Sequence, residues 1–198
     1  MGTFSATANS SSTIGYAQYG SSSWSTGSSS GACQGAYQGT TAAKSRVGVM
    51  VFSGAGAALK GKLIQSITLT ITSSGAGSGS SSKKLTFCQA NYQSLNTGVR
   101  GSAQVGATLG VLTGKFYSNT VTHTLNASTN AALFAAMKAY FEAGNSVLVL
   151  YNGETSSSSG YSNNYARVTS CTISEPTSTR WSGIGTAAHG GNARSGTG

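Results

Sequence analysis

The sequence predicts an all-β protein: an antiparallel, jelly-roll-like β-sandwich with one short α-helix. Its apolar residues gather in β-branched runs of strand length, and Gly- and Ser-rich segments separate these runs. Ser, Thr and Gly make up almost half of the 198 residues. A single segment late in the chain has the 3.6-residue period of an amphipathic helix. Several short strands with one helix are typical of a two-sheet sandwich.

The polar, loop-rich N-terminal part covers residues 1–44. Within it we expect short edge strands near Thr3–Ala8 and Gly15–Tyr19, and a loop over 21–31, where Ser and Gly dominate. Residues 45–52, SRVGVMVF, are apolar at consecutive positions. This pattern predicts a central strand that is covered on both faces.

The next two strands are predicted from alternation. Residues 66–72, SITLTIT, place Ile67, Leu69 and Ile71 on one face and Thr on the other, so the three apolar side chains are expected in the core. Residues 83–90, KKLTFCQA, are predicted to be the antiparallel partner of this strand. The intervening Ser- and Gly-rich stretch is predicted to be a loop.

The second half of the chain completes the sandwich. Residues 91–114 are punctuated by Gly and predict a long connection, and a strand is expected over 116–125. Further strands are predicted over 146–152 and 161–174. Pro176 is expected to end the last strand because proline lacks a backbone N–H.

The predicted helix lies in residues 128–144. Ser128 or Thr129 suits its N-cap, and Gly144 stands where a glycine commonly follows a helix. Residues 53–62 of the first half, SGAGAALKGK, are predicted to be a connection. One face of the helix is apolar and consists of Leu133, Phe134, Met137, Tyr140 and Phe141.

We predict one sandwich domain over residues 1–174 and a flexible or partner-bound C-terminal tail over 175–198. The tail has no periodicity and too little apolar material for a core. Contacts with a partner would have to offset the entropy lost on ordering it. Trp181 suits an apolar anchor for such a contact, and Arg180 and Arg194 suit pairing with acidic groups.

Carboxylates are scarce in this chain, which has no aspartate and three glutamates, Glu142, Glu154 and Glu175. Most hydrolytic and phosphoryl-transfer mechanisms need paired carboxylates, a carboxylate-oriented His, or carboxylates that hold a metal. We therefore predict a non-enzymatic scaffold or binding surface with no catalytic residue, no metal and no cofactor. A glycan-active hydrolase that uses Glu142 or Glu154 is the weakest alternative, and solvated roles are expected for both side chains.

The formal net charge of +9 comes from basic residues that are dispersed along the chain. Dispersal does not favour nucleic-acid binding, which needs a clustered basic patch. Lys83 and Lys84 are interpreted as solvated positions beside a strand. Cys33, Cys88 and Cys171 lack the spacing of a metal site, and Cys88 and Cys171 are expected in the core. With no signal peptide or stretch of transmembrane length, membrane insertion is not expected.

Aromatic side chains near Ser- and Asn-rich loops are the candidate binding residues. Flat rings in such positions suit ligand stacking or protein interfaces. The alternative is that the rings cap the ends of the core, and both interpretations stay open. The candidates are Tyr16, Tyr19, Trp24, Tyr37, Tyr161, Tyr165 and Trp181.

Five segments follow one another in a characteristic order: YGSSSW, SRVGVMVF, LKGKLIQSITLTIT, LFAAMKAYFEAGNSVLVLY and YARVTSCTIS. An Arg-led strand over 46–52 precedes an alternating strand over 64–71, and Gly144-Asn145 precedes a buried strand. This order, over roughly residues 3–174, resembles the jelly-roll modules of bacteriophage tail and virion proteins. Those modules are in turn similar to carbohydrate-binding jelly rolls.

The resemblance implies a non-enzymatic virion structural protein of a bacteriophage, such as a tail-fibre, baseplate or capsid-decoration subunit. Its partners would be other virion subunits, including further copies of itself, and a glycan of the host surface. Its location would be the virion, assembled in the host cytoplasm. A carbohydrate-binding module is the alternative function.

Overall fold

The computed structural model describes residues 2–19, 24–26, 31–38, 45–77, 82–95, 101–157 and 159–177. Two antiparallel β-sheets face each other. The strands are β1 (Gly2–Ala8), β2 (Ile14–Tyr19), β3 (Trp24–Thr26), β4 (Ala32–Gln34), β5 (Arg46–Val51), β6 (Ile67–Ser73), β7 (Lys83–Ala90), β8 (Val105–Gly114), β9 (Thr120–Leu125), β10 (Val147–Leu150) and β11 (Ala166–Thr177). The helices are α1 (Ala55–Leu59) and α2 (Ala131–Glu142), with a 3₁₀ turn over Gly101–Gln104.

The strand order is that of a jelly roll. Sheet 1 runs β1-β11-β6-β9, with β4 pairing to β11 beside β1, and sheet 2 runs β3-β2-β5-β10-β7-β8. When β2, β3 and β4 are set aside, eight strands remain. The first pairs with the eighth, the second with the seventh, the third with the sixth and the fourth with the fifth. The predicted all-β, jelly-roll-like sandwich with a short helix is therefore confirmed.

The predicted pairing of residues 83–90 with β6 is wrong. The segment forms β7, but β7 lies in sheet 2 between β10 and β8. In sheet 1, β6 pairs with β11 and β9. Alternation shows which side chains face the core, but it does not show which strand lies alongside.

Three elements occupy segments that the sequence predicted as loops or connections. α1 lies within 53–62, β3 lies within 21–31, and β8 fills much of 91–114. The reason for missing β8 is a bulge: Phe87 pairs with Gly110 and Cys88 pairs with Thr108, so the register skips one residue. The bulge breaks the period of two on which strand prediction rests.

The last strand runs further than predicted, because β11 continues through Pro176 to Thr177. Pro176 pairs with Thr3 of β1, whereas the pairing of β11 with β6 ends at Ser174. One side of β11 is thus unpaired at Pro176, which is where a sheet tolerates proline. The predicted domain boundary at 174/175 falls inside this strand, and residues 178–198 of the predicted tail lie outside the described residues.

The long helix α2 forms as predicted, with the expected apolar face buried. Its N-cap is Asn130, in left-handed backbone geometry, rather than Ser128 or Thr129. These two residues lie in the turn before the helix, where the Asn126 side chain accepts hydrogen bonds from both backbone N–H groups at 2.8 Å. Gly144 follows the helix with φ +98°, as its position predicted. α2 packs against β8 and β9, which are edge strands of opposite sheets, and so closes one open side of the sandwich.

Two apolar clusters fill the protein. The main core lies between the sheets and includes the predicted Ile67, Leu69, Ile71, Leu85 and Phe87 together with the apolar face of α2. A second cluster lies on the outer face of sheet 2, which explains why β5 is apolar on both faces. Leu95 of the connection between β7 and β8, and Val105 at the start of β8, pack on this cluster. Its buried members are Val47, Val49, Cys88, Ala90, Val147 and Val149.

The outer face of sheet 1 is lined with hydroxyl groups, as the alternation of β6 predicted. Serine and threonine hydroxyls on adjacent strands form hydrogen bonds to each other across the sheet. The pairs are Ser5 with Ser174, Thr7 with Thr172, Thr70 with Thr122 and Thr72 with Thr120, at 2.7–3.3 Å.

A buried carboxyl lies at the end of the core where β11 ends. The Glu175 side chain is buried, and both carboxylate oxygens lack a hydrogen-bond partner. Burial raises the pKa of Glu175 and Glu142 raises it further, whereas Lys62 and Lys138 oppose the shift. Lys138 is paired with Glu142, whose carboxylate also accepts a hydrogen bond from the Ile64 N–H at 2.8 Å.

We expect Leu69→Ala to lower the free energy of unfolding by about 2–5 kcal/mol, because it empties a fully buried position of sheet 1. Thr70→Ser is the matched control, since it keeps the hydroxyl that bonds Thr122 on the outer face. Denaturant melts of both variants measure the difference. Equal losses of unfolding free energy from the two variants would contradict the placement of Leu69 on the buried face of β6 and of Thr70 on its outer face.

Glu175→Gln should stabilise the protein at neutral pH and have little effect at pH 4. The raised pKa means that the folded state holds the proton more tightly than the unfolded state. The free energy of unfolding therefore falls as the pH rises above the ordinary value of 4.5 and through the folded-state pKa. Thermal melts from pH 4 to pH 8 give the test, and a difference between variant and parent that does not change with pH would contradict it.

Candidate functional site

Aromatic residues concentrate at the end of the sandwich where β5, β7 and β11 begin. Tyr16 lies in β2, Tyr37 follows β4, and Tyr161 and Tyr165 precede β11. We call this region, with Arg46 at the start of β5, the tyrosine end.

Three of these tyrosines form a stack that runs from solvent into the core. The ring centroids of Tyr37 and Tyr161 lie 4.3 Å apart, and those of Tyr161 and Tyr165 lie 4.5 Å apart. Tyr37 and Tyr161 are 37% and 40% exposed, whereas Tyr165 is fully buried. The outer two rings are therefore available to a ligand, and the inner ring anchors them to the core.

The backbone beneath the outer rings is fixed by hydrogen bonds between two loops. The Gln38 N–H donates to the Gly160 carbonyl and the Ser162 N–H donates to the Ala36 carbonyl, each at 2.9 Å. Tyr37 and Tyr161 face each other in the isolated antiparallel bridge between these loops. A surface held in this way loses little entropy when it binds.

Close packing at Gly35 sets the position of both loops. Gly35 has φ +81°, and a Cβ at this position would lie 2.5 Å from Ser162 Oγ and 2.9 Å from Tyr165 Cα. No side chain fits there without moving one loop or the other. The approach of the β4 segment to the start of β11 therefore depends on glycine.

Arg46 is buried between two aromatic rings. Its guanidinium carbon lies 5.2 Å from the ring centroid of Tyr16 and 5.1 Å from that of Tyr165, within the range of cation–π attraction. Its Nε donates to Gln18 Oε1 at 2.9 Å, and one terminal nitrogen donates to the Tyr165 hydroxyl. Arg46 thus connects sheet 2 to the start of β11 in sheet 1.

The Cys33 thiol accepts a hydrogen bond from the Tyr165 hydroxyl at 3.9 Å, in the same buried cluster. Burial raises the pKa of Cys33 despite the nearby Arg46 and Arg167, and burial also raises the pKa of Tyr165. Both groups are therefore neutral at physiological pH, and the thiol lacks the thiolate character of a nucleophile. Cys88 and Cys171 are also free and buried, and burial raises the pKa of Cys171 to about 12.

Lys83 and Glu154 have structural roles at the tyrosine end rather than the solvated roles predicted. Lys83 is buried, its Nζ donates to the Asn163 carbonyl at 3.3 Å, and burial lowers its pKa against the opposing charge of Glu154. The Glu154 carboxylate accepts hydrogen bonds from the backbone N–H and the side-chain amide of Asn164. Ser45 donates to the Glu154 carbonyl at 2.7 Å, so this loop is joined to the start of β5.

The candidate residues of the sequence divide into three groups. Tyr37 and Tyr161 are exposed and in contact, whereas Tyr16 and Tyr165 are buried, so for these two the core-capping interpretation is correct. Tyr19 is partly exposed in β2 and pairs with Trp24 of β3, whose side chain lies outside the described part of the structure. Arg180, Trp181 and Arg194 also lie outside the described residues.

Sequence reasoning missed Arg46, Gly35 and Lys83 as parts of the tyrosine end. Arg46 did carry a signal, because a single charged residue heads an otherwise apolar run. Gly35 had no distinguishing signal among 28 glycines. Lys83 stands beside Lys84, and because both are charged the sequence indicated a solvated position for each. In the structure the Lys83 side chain is buried and the Lys84 side chain is exposed.

The two carboxylates considered for hydrolysis lie at opposite ends of the sandwich. Glu154 is at the tyrosine end, and Glu142 lies near Ile64 and Lys138 at the other end. His123 is half-buried beside Phe116, and burial lowers its pKa. Within the described ranges, no three His, Cys, Asp or Glu side chains come together as a metal site would require. None of the helices described is both long and apolar enough to span a membrane.

Comparison with known proteins gives no family for the chain. No protein-family model matches it, and no curated protein sequence matches it. The tyrosine end and the strand order are thus the observations from which a function can be proposed.

Gly35→Ala should lower the melting temperature clearly more than Gly54→Ala. The two glycines have almost the same φ, +81° and +82°, but a Cβ at Gly54 meets nothing within 4 Å. The backbone strain of a left-handed alanine is therefore common to both, about 1–2 kcal/mol. Thermal melts of both variants measure how much the clash at Gly35 adds to this shared strain. Equal shifts in melting temperature would show that the two loops can move apart freely.

Proposed function

We propose that the protein is a non-enzymatic structural subunit of a bacteriophage virion: a tail-fibre, baseplate or capsid-decoration protein. The observation that carries this proposal is the eight-strand jelly-roll order. Double-sheet jelly rolls serve as viral capsid and lectin domains. The resemblance of the sequence to phage jelly-roll modules supports the virion among these functions. Because a fold alone does not specify a function, the properties of the surface must also be consistent with a virion subunit.

The distribution of charge supports assembly with other subunits. The chain carries a net charge of +9, and the described residues contain one salt bridge, between Lys138 and Glu142. Lys60, Lys62 and Lys84 are exposed on the surface. Acidic surfaces of neighbouring virion subunits would neutralise these lysines. With no aspartate and three glutamates, the chain has few carboxylates of its own to pair with them.

The state of the carboxylates supports a non-enzymatic role. Glu154 joins a loop to Asn164, and Glu142 pairs with Lys138. Retaining and inverting glycosidases need two carboxylates across one cleft. The opposite locations of Glu142 and Glu154 do not provide that arrangement.

The purified full-length chain should form oligomers or particles, alone or with neighbouring virion proteins. Light scattering after size-exclusion chromatography and electron microscopy measure this. A chain truncated after Thr177 keeps all of β11 and should stay folded but lose assembly, because the tail is proposed to make the contact.

Trp181→Ala and Arg180→Ala in the full-length chain test the tail without truncation, with Tyr92→Ala as the surface control because Tyr92 is an exposed, uncharged aromatic residue outside the tail. Each tail substitution should weaken assembly, and the control should not. Normal assembly of the truncated chain would reject the role of the tail. A full-length chain that remains monomeric and associates with no virion protein would reject the proposed function.

A further inference from the structure

A role in assembly does not account for the two exposed rings at the tyrosine end. Five large apolar side chains are exposed in the described part of the chain, and Tyr37 and Tyr161 are the two that stack on each other. They lie on loops that are hydrogen-bonded to each other and packed around Gly35. The structure therefore holds an aromatic surface in a fixed orientation towards solvent.

The two rings differ in what they can offer a ligand. Tyr161 contacts two rings: Tyr37 stacks on it, and the buried Tyr165 ring packs against it at a tilt of 49°. The face of Tyr37 turned away from Tyr161 has no aromatic neighbour among the residues described. Tyr37 thus provides a flat stacking face, and Tyr161, which contacts two rings, provides a second, partly exposed ring beside it.

Polar but uncharged side chains surround the rings. Gln38 is exposed next to Tyr37, and Ser157, Ser159 and Asn163 are exposed in the loop that carries Tyr161. Their amide and hydroxyl groups can both donate and accept hydrogen bonds. Three charged groups of the tyrosine end contribute little to this surface, because Arg46 and Lys83 are buried and the Glu154 carboxylate is engaged by Asn164.

We propose that Tyr37, Tyr161 and these polar side chains bind a neutral sugar ring of a glycan. The C–H face of a pyranose is apolar and flat enough to pack on an aromatic ring, while its hydroxyls need neutral donors and acceptors at the rim. An anionic ligand would need an exposed cation beside the rings. A protein hot spot would need an apolar seal around the two rings instead of a polar rim.

This inference goes beyond the proposed structural role and can fail independently of it. One stacking face with a polar rim forms a small site, so a single copy should bind weakly. Several copies held in one assembly would raise the apparent affinity by about 10²–10⁴-fold through multivalency. Glycan binding should therefore be much stronger for the assembled protein than for a monomer.

The test uses the full-length protein on an array of neutral and acidic oligosaccharides, followed by calorimetric titration with the best neutral oligosaccharide. Tyr37→Ala should weaken binding at least tenfold, and Tyr37→Trp should keep it within about threefold because a flat ring remains. Asn163→Ala should also weaken binding, without removing a ring. The matched control is Tyr92→Ala, since Tyr92 is 39% exposed but lies in a different loop.

Thermal melts show whether each variant remains folded, and light scattering reports assembly in the same samples. No binding to any neutral oligosaccharide by the folded, assembled protein would overturn the glycan site and leave the virion role standing. Neutral-glycan binding by a protein that never assembles would support the site and reject the structural role. Binding confined to acidic oligosaccharides, or equal losses from Tyr37→Ala and Tyr92→Ala, would also overturn it.

Discussion

The buried guanidinium of Arg46 is the interaction on which the tyrosine end depends. A charged group inside a protein is costly unless its donors are satisfied, so the surrounding structure has to provide partners in fixed positions. Gln18 provides one acceptor, the Tyr165 hydroxyl provides another, and the guanidinium carbon lies over the rings of Tyr16 and Tyr165. Because β5 belongs to sheet 2 and Tyr165 leads into β11 of sheet 1, the same contacts hold the two sheets together.

The exposed surface follows from this buried arrangement. Tyr165 is fixed by Arg46, Tyr161 packs on Tyr165 with its ring tilted, and Tyr37 stacks on Tyr161. The innermost ring, Tyr165, is fully buried, and the two outer rings are exposed to a similar extent. Gly35 permits the loops to approach closely enough for this stack, since a larger residue would meet Ser162 and Tyr165. The candidate binding surface is therefore positioned by the core rather than by flexible loops.

The outer faces of the two sheets differ in polarity. Sheet 1 exposes rows of Ser and Thr whose hydroxyls bond across the strands, so this face stays in water. The outer face of sheet 2 carries valines such as Val49 and Val149, which Leu95 and Val105 help to cover. The described ends of the connection between β7 and β8 thus lie against sheet 2 and help to keep this apolar face from water.

Much of the secondary structure could be predicted because it depends on local pattern. The alternation in β6, the apolar run in β5 and the helical period of α2 each reflect which side chains must leave water. The prediction of β8 was wrong because its bulge at Leu109 changes the phase of the strand. The N-cap prediction was wrong because Ser128 and Thr129 belong to a turn that is closed by hydrogen bonds to Asn126, and the helix begins only after this turn.

The amino-acid sequence by itself determined the class of the protein: all-β, helix-poor and short of carboxylates. Composition is a sum over residues and periodicity is a short-range pattern. Neither depends on which distant segments of the chain come into contact. Only the tertiary structure decided that β7 pairs with β10 and β8, and that Tyr37 stacks on Tyr161. It also decided that Lys83 is inside while Lys84 is outside. These features depend on contacts between separate segments of the chain, and no local pattern of residues specifies such contacts.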